Sequence, residues 1–489
     1  MTLAVDPTYW TFDITQYETI WKVVCNVGLL LIFLLIGNVV RRVVPFLRKA
    51  HIPSALLGGV LLLVMNIILK QFKINIIDQR TMQAVTYHAL AIGFIATTLK
   101  IARKDQKASF MTSVQNGAIT GGTYMLQAAF GILVSLVFFW ITAKSENTFF
   151  YDAGVLLPLG FGQGPGNALI WDANFTNYSK EGLYPFLFNG GGSVGLTIAS
   201  IGFIVASVVS VVYINIYKHK KQIVEKTVNE TRDLREFIEP DEIEDNESVD
   251  KLSIQVAITA VAYGLALGIM ILFHYISEWT GVDLFKNVGW GFNFIWGVIT
   301  ANIIKVIIKA LFKKKIIKKK YINNYQMDRI SGFAFDLMII AGVASIDIGT
   351  LMDYALFIVI VVIVGAVVTL FYVKLMTKLC FEGMEHEAFL VNFGTLTGTA
   401  SNGMMFLREI DPNYETPMSN VFIVSQLPAM IFVAPLLLFI EFSCKSPNNC
   451  YIAAGIFFGL AILYTTFLVL SAKGLFKRKQ KVEEKPAEE

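Results

Sequence analysis

The chain has 489 residues, 55% of them hydrophobic and only 16% charged, where a soluble domain carries roughly 45–50% and about 25%. A net charge of +4, with Lys and Arg gathered beside apolar blocks, excludes a nucleic-acid-binding face, and four cysteines are too few for a disulfide scaffold. No metal-ligand cluster and no nucleophile–base spacing points to an enzyme.

In chain order, residues 1–19 precede apolar blocks at 20–40, 52–69, 82–99, 117–143, 183–217, 252–279, 290–312, 330–346, 354–373, 418–442 and 451–472. Each is long enough to cross about 30 Å of hydrocarbon as a helix. In lipid the backbone must satisfy its own hydrogen bonds, so these blocks are expected to be helical spans. The first is too long for a signal peptide, and its basic residues follow it rather than precede it. Two further segments, 153–175 and 388–407, are apolar but crowded with Gly, Thr, Ser and Asn. They make poor continuous helices, because each Gly costs roughly 1 kcal/mol against Ala.

Charge sets the expected orientation. With the N-terminus outside and neither Gly-rich segment crossing, most of the 41 Lys and Arg residues fall on the inner side. They include Arg41, Arg42, Lys100, Arg103, the run at 313–320, Lys374, Lys378 and the C-terminal tail. If only the first Gly-rich segment crossed, every later basic loop would turn outward. Both are therefore expected to be re-entrant, dipping in and returning on one side.

The expected architecture is an all-α polytopic membrane protein built from two inverted-topology five-helix repeats. The first, 20–217, carries the re-entrant segment 153–175; the second, 252–442, carries 388–407. A charged cytosolic linker at 218–251, with an acidic run at 239–245, joins them. An outer loop and eleventh helix occupy 443–472, and 473–489 is a cytosolic tail. Inverted repeats of this kind mark many secondary transporters.

The Gly-rich segments are the candidate site. The first reads GFGQGPGN at 160–167. Glycine lets the chain turn sharply and lets a ligand approach the backbone, and unwound backbone at membrane depth is tolerated where protein or a water-filled cavity covers it. Gly162, Gly164 and Gly166 would offer backbone groups, while Gln163 and Asn167 would orient a substrate, with Asp172 adding polarity nearby. The second reads NFGTLTGTASNG at 392–403. Hard monovalent cations take neutral oxygen ligands, so Asn392, Thr395, Thr397, Thr399 and Ser401 are the candidate sodium ligands. Gly398 and Asn402 would complete the substrate site. Against this stands close helix packing, the commonest use of small-residue runs in membranes. Two such runs at corresponding places in two inverted units favour function.

Elsewhere, Asp336 in the eighth span is a candidate ion or proton site, since an intramembrane carboxylate is costly; a salt bridge to Arg329 or Lys320 is the structural alternative. His88, Gln115, Asn116, Asn189 and Gln426 either line a path or bond across helices. Asn189 and the three glycines 190–192 suggest a hinge or a close crossing in the fifth span. Asp347 and Asp353 read as solvated caps, Arg408 as a topology signal, Lys305 and Lys309 as snorkelling residues, and Trp279, Trp290 and Trp296 as an interfacial belt. Cys444 and Cys450 share one short outer loop, as a disulfide or as two free thiols.

Three stretches carry a family resemblance. FLRKAHIPSALLGG at 46–59 resembles the basic loop, Ile-Pro and Gly-Gly that open the second helix of the sodium/glutamate symporters. GFGQGPG at 160–166 resembles that family's first glycine-rich re-entrant motif, and 392–402 sits where the second lies. The resemblance implies paired re-entrant loops in inverted repeats, sodium as co-transported ion, glutamate as substrate, and a homodimer working by an elevator movement in a bacterial-type plasma membrane. Gln163 stands where the family has His, and Pro165 where it has Thr.

The expected function is thus sodium-coupled import of glutamate or a related small anionic amino acid. A sodium/proton antiporter, a sodium-coupled carrier of another amino acid or dicarboxylate, and a non-transporting receptor are the rivals.

Overall fold

The computed structural model describes residues 17–101, 109–142, 148–220, 250–281, 283–319, 321–411 and 416–473. Most of the 218–251 linker with its acidic run, Lys320, and nearly all of the 1–19 and 473–489 termini lie outside the described residues. Every described element is a helix. In order they are α1 (Tyr17–Val43), α2 (Pro45–Lys49), α3 (Ser54–Gln71), α4 (Gln79–Leu99), α5 (Phe110–Thr142), a 3-10 turn (Ala153–Val155), α6 (Leu156–Phe161), α7 (Pro165–Lys180), α8 (Ser193–Lys220) and α9 (Lys251–Thr280). Then follow α10 (Asp283–Gly291), α11 (Asn293–Lys313), α12 (Asn324–Ala344), α13 (Ile348–Asp353), α14 (Ala355–Cys380), α15 (Glu385–Leu396), α16 (Ala400–Ile410), α17 (Met418–Ser443) and α18 (Pro447–Ala472).

Ten of these, α1, α3, α4, α5, α8, α9, α11, α14, α17 and α18, are long and apolar enough to cross a membrane. The protein is therefore an all-helical, multi-span membrane protein. The expected eighth span falls on α12, which has the length but carries Asp328, Arg329 and Asp336 and so lacks the apolarity. Large apolar side chains stand exposed along the long helices, among them Leu35, Val261, Phe371, Ile431 and Ile462. Contiguous apolar surface of this kind is a liability in water and ordinary against lipid.

Local chemistry sets the helix starts. Asp78 caps α4 by accepting from the Thr81 backbone N–H, Asn323 caps α12 through Gln326, and Ser446 caps α18 through Asn449, with Pro447 in the first turn. Asp347 caps α13 through Gly349, as its sequence position suggests.

The fifth span starts later than hydropathy indicates, at Ser193 rather than 183. Gly190, Gly191 and Gly192 precede the helix, with φ of 57° at Gly191 and 93° at Gly192, so they form no hinge inside it. The apolar residues before them, Phe186 and Phe188, turn inward and pack on Phe150 and Phe175.

Two groups of helices emerge from the packing. α1, α3, α4, α9, α11 and α12 pack together, with α12 along α4 and α3; α5 is the spine of the other, with α14, α17 and α18 along it. The members of the first group are the three leading spans of each expected unit. The segments 153–175 and 388–407 fall between the groups: α7 touches α4, α8 and α12, while α15 and α16 pack on one another and on α8, α15 also on α14 and α16 on α12.

Candidate functional site

Both Gly-rich segments are broken helices. In the first, α6 and α7 are separated by Gly162, Gln163 and Gly164. Gly164 has φ 82° and ψ −178°, a backbone region open essentially to glycine alone. Pro165 then starts α7, where its missing N–H costs nothing. In the second, α15 and α16 are separated by Thr397, Gly398 and Thr399.

The two breaks meet. A Cβ placed on Gly164 would lie 3.8 Å from Thr399 Cγ2 and 3.9 Å from the Gly398 carbonyl oxygen. Gly202, midway along α8, lies against Phe161 at the end of α6 and against the Thr397 carbonyl. Met338 and Gly342 of α12 flank Gly164 and Pro165 on the other side. Gly166 packs on Leu90 of α4.

The outer ends of each broken helix pair return to one end of the bundle. For α15 and α16 this is the end where α8, α11 and α14 finish in basic residues and Lys100 follows α4. His386 bonds Tyr213 near the end of α8. Glu409 contacts His51 at 3.0 Å and Lys218 at 3.7 Å. Arg408 and Lys100 both pair with Asp328. For α6 and α7 it is the opposite end. The Tyr151 carbonyl accepts from Ser135, the Tyr151 hydroxyl donates to the Cys444 carbonyl, and buried Asp152 accepts from Ser443 at 2.6 Å. After α7, Asn189 donates its N–H to the Tyr354 hydroxyl.

Several of the buried polar atoms without partners lie at the breaks, others elsewhere in the bundle. Gln163, Asn167 and Asn402 are 4%, 0% and 5% exposed. Asn167 Nδ2 donates to Gln163 Oε1 at 2.7 Å, which leaves Gln163 Nε2 and Asn167 Oδ1 unpaired. The arrangement survives the ambiguity of amide orientation. If both amides were turned, Gln163 would donate to Asn167, and one N–H donor and one carbonyl acceptor would again be free. Asn402 Nδ2, packed on Gly398, and Thr395 Oγ1 are also unpaired. Buried polar groups are nearly always bonded, so donors and acceptors left dry together describe a place for a polar ligand.

Not every expected site residue joins this group. Asn392 spends its amide on Asn116 Oδ1 of α5 and the Ala388 carbonyl. Ser401 is exposed, away from the buried junction. The Thr397 hydroxyl donates to the Phe393 carbonyl and keeps its lone pairs, and Thr399 caps α16 by accepting from the Asn402 N–H at 3.4 Å. Asp172 is remote from the break. Its carboxylate accepts from the N–H groups of Gly192 and Gly195, 2.8 Å each, and so seals the start of α8. Asp336 is half-buried on α12; its neighbouring charge is Arg41, and neither Arg329, which lies over Tyr325, nor any other described basic residue pairs with it within 4 Å. His88 bonds Tyr263, Gln115 bonds Ser471 and Asn116 bonds Ser425, all across helices. Lys305 donates to the Thr98 carbonyl. Cys444 and Cys450 are free, buried thiols.

α5 holds two neighbours of the breaks that hydropathy hides. The ring of Tyr124 fills the space beside Gly162, where a Cβ would lie 1.8 Å from Cε1. Gln127 donates to the carbonyl of Leu396, the residue before the second break. The signal for both was periodicity: Asn116, Thr120, Thr123, Tyr124 and Gln127 recur at three to four residues on one face of an apolar helix. Comparison of the chain with family models, with curated proteins and with solved structures gives no match.

Proposed function

We propose that the protein is a secondary transporter that carries a small amino acid together with Na⁺, with glutamate the first substrate to test. One observation carries the reading: two helices, broken at glycine and held from opposite ends of the bundle, bring their breaks together around unpaired buried amides. In this reading 153–175 and 388–407 are re-entrant and the two halves are inverted repeats, an arrangement that lets one site be exposed to either side. The Gln163–Asn167 pair always offers one donor and one acceptor, which suits a ligand bearing both carboxylate and ammonium. Asn402 Nδ2 and the first N–H groups of α7, which no side chain caps, add donors for a further carboxylate. Carbonyl and hydroxyl oxygens at 395–399 suit Na⁺. The resemblance at 46–59, 160–166 and 392–402 supports glutamate, a homodimer and an elevator movement, and the distribution of Lys and Arg supports an outside N-terminus.

The test is uptake of labelled glutamate into proteoliposomes with and without an inward Na⁺ gradient. Na⁺-dependent uptake supports class and substrate together. Na⁺-dependent flux of another amino acid or a dicarboxylate in a competition panel keeps the mechanism and replaces the substrate. A Na⁺-driven pH change without organic flux would replace the symporter with an antiporter, for which Asp336 is the residue to examine.

A further inference from the structure

Gln127 lies in the apolar middle of α5 and is fully buried. Its Nε2 donates to the Leu396 carbonyl at 3.1 Å and to Thr369 Oγ1 at 2.8 Å. A carbonyl can only accept, so the nitrogen must face Leu396, and the amide orientation is fixed by chemistry. Oε1 then points elsewhere and has no partner. Unlike the Gln163–Asn167 pair, Gln127 thus presents an acceptor and nothing else.

An acceptor buried dry calls for a positive centre or a donor. Leu396 is bonded through its own carbonyl, and 395–399 carry no charged side chain; the Thr397 hydroxyl already donates to the Phe393 carbonyl and keeps its lone pairs. Neutral oxygens with no carboxylate suit a monovalent cation rather than a divalent one. Tyr124, one turn before Gln127, closes on Gly162, so α5 walls both breaks.

We infer that Gln127 is a ligand of the transported monovalent cation, its Oε1 supplying the α5 side of a Na⁺ site at the base of the second break. The inference rests on the Na⁺-coupled reading above and adds a residue outside the Gly-rich segments. Asn392, bonded to Asn116, and Ser401, exposed, then lie outside the ion's shell.

The test uses full-length protein in detergent and follows thermal unfolding against NaCl, with choline chloride as the control, with and without glutamate. Gln127→Met removes the oxygen at nearly constant volume. It should raise the Na⁺ concentration for half-maximal stabilisation by about tenfold, the scale of one hydrogen bond to a charged group. Gln127→Glu keeps an oxygen but adds a proton that competes with Na⁺, so its midpoint should depend on pH between about 5 and 8 while the wild-type midpoint does not. This second variant serves also if the first does not fold. Wild-type Na⁺ midpoints, independent of pH, in the folded variants would overturn the inference; so would a shift in the glutamate midpoint alone, which would assign Oε1 to the substrate's ammonium. Either result beside intact Na⁺-driven uptake would remove Gln127 only, whereas wild-type protein with neither Na⁺ stabilisation nor Na⁺-driven flux would remove the transport reading as well.

Discussion

At the scale of single residues, the backbone at Gly164 is the most constrained point of the junction. Space is not the constraint, since the nearest atom to an added Cβ is Met338 Cε at an ordinary 3.5 Å. The constraint is φ, and a side chain there costs on the order of 1–3 kcal/mol. Gly164→Val should therefore lower thermal stability modestly while removing uptake in proteoliposomes; full uptake in a folded variant would separate this break from transport. Asn402→Ala removes an unpaired buried donor. It should leave stability unchanged or slightly improved, because no existing side-chain bond of that amide is lost, and should weaken substrate binding roughly tenfold, read by calorimetry. Unaltered affinity would place the ligand elsewhere. The Gly density of both segments made these residues legible in sequence. Asp172 and Gln127 were not legible in the same way. A lone polar residue in an apolar stretch does not reveal whether it caps a neighbouring helix, as Asp172 does, or faces a break, as Gln127 does.

Among the elements, the helix pairs are held by two chemically different anchors, and each has a pH signature. Glu409 is held below the ordinary carboxylate range, first by its hydrogen bond from His51 and then by Lys218. A carboxyl that binds its proton less tightly when folded adds stability above its unfolded value, and that stability is lost as pH falls through the folded one. Unfolding of wild type and Glu409→Gln should thus differ at neutral pH and converge in acid; a difference that persists at low pH would exclude the charge as its cause. Asp152 behaves oppositely. Burial pushes its carboxyl up to about 8, against the bonds from Ser443 and Cys450. Its contribution is complete below the ordinary carboxylate range and declines as pH rises to about 8. Asp152→Asn should flatten that decline between about pH 4 and 8, and an unchanged slope would show that another group titrates. Element boundaries were legible where capping residues mark them, as at Asp78, Asn323 and Ser446. They failed at 183–192, because hydropathy records that Phe186 and Phe188 are apolar but not whether lipid or an aromatic cluster receives them.

For the whole molecule, the span count was legible because lipid imposes a length and a composition that few other environments demand. Eleven spans were expected and ten helices have the length and apolarity; α12, with Asp328, Arg329 and Asp336, is the one that departs. The orientation inferred from charge can be read directly. In a background with Cys25 and Cys380 replaced by Ser, Lys314→Cys should be labelled by a membrane-impermeant maleimide only from inside, and Trp279→Cys, at an 89% exposed position, only from outside. Reversed labelling would invert the assignment.

The unlike anchors carry one more consequence. Glu409, His51, Lys218, Arg408, Asp328 and Lys100 form partly exposed ion pairs, and such contacts are screened over about 8 Å at physiological ionic strength. Asp152, Ser443 and Tyr151 form a dry cluster that dissolved ions do not reach. Raising salt should therefore weaken the anchor of one broken helix and leave that of the other unchanged, so the two ends of the bundle differ in how they answer ionic strength.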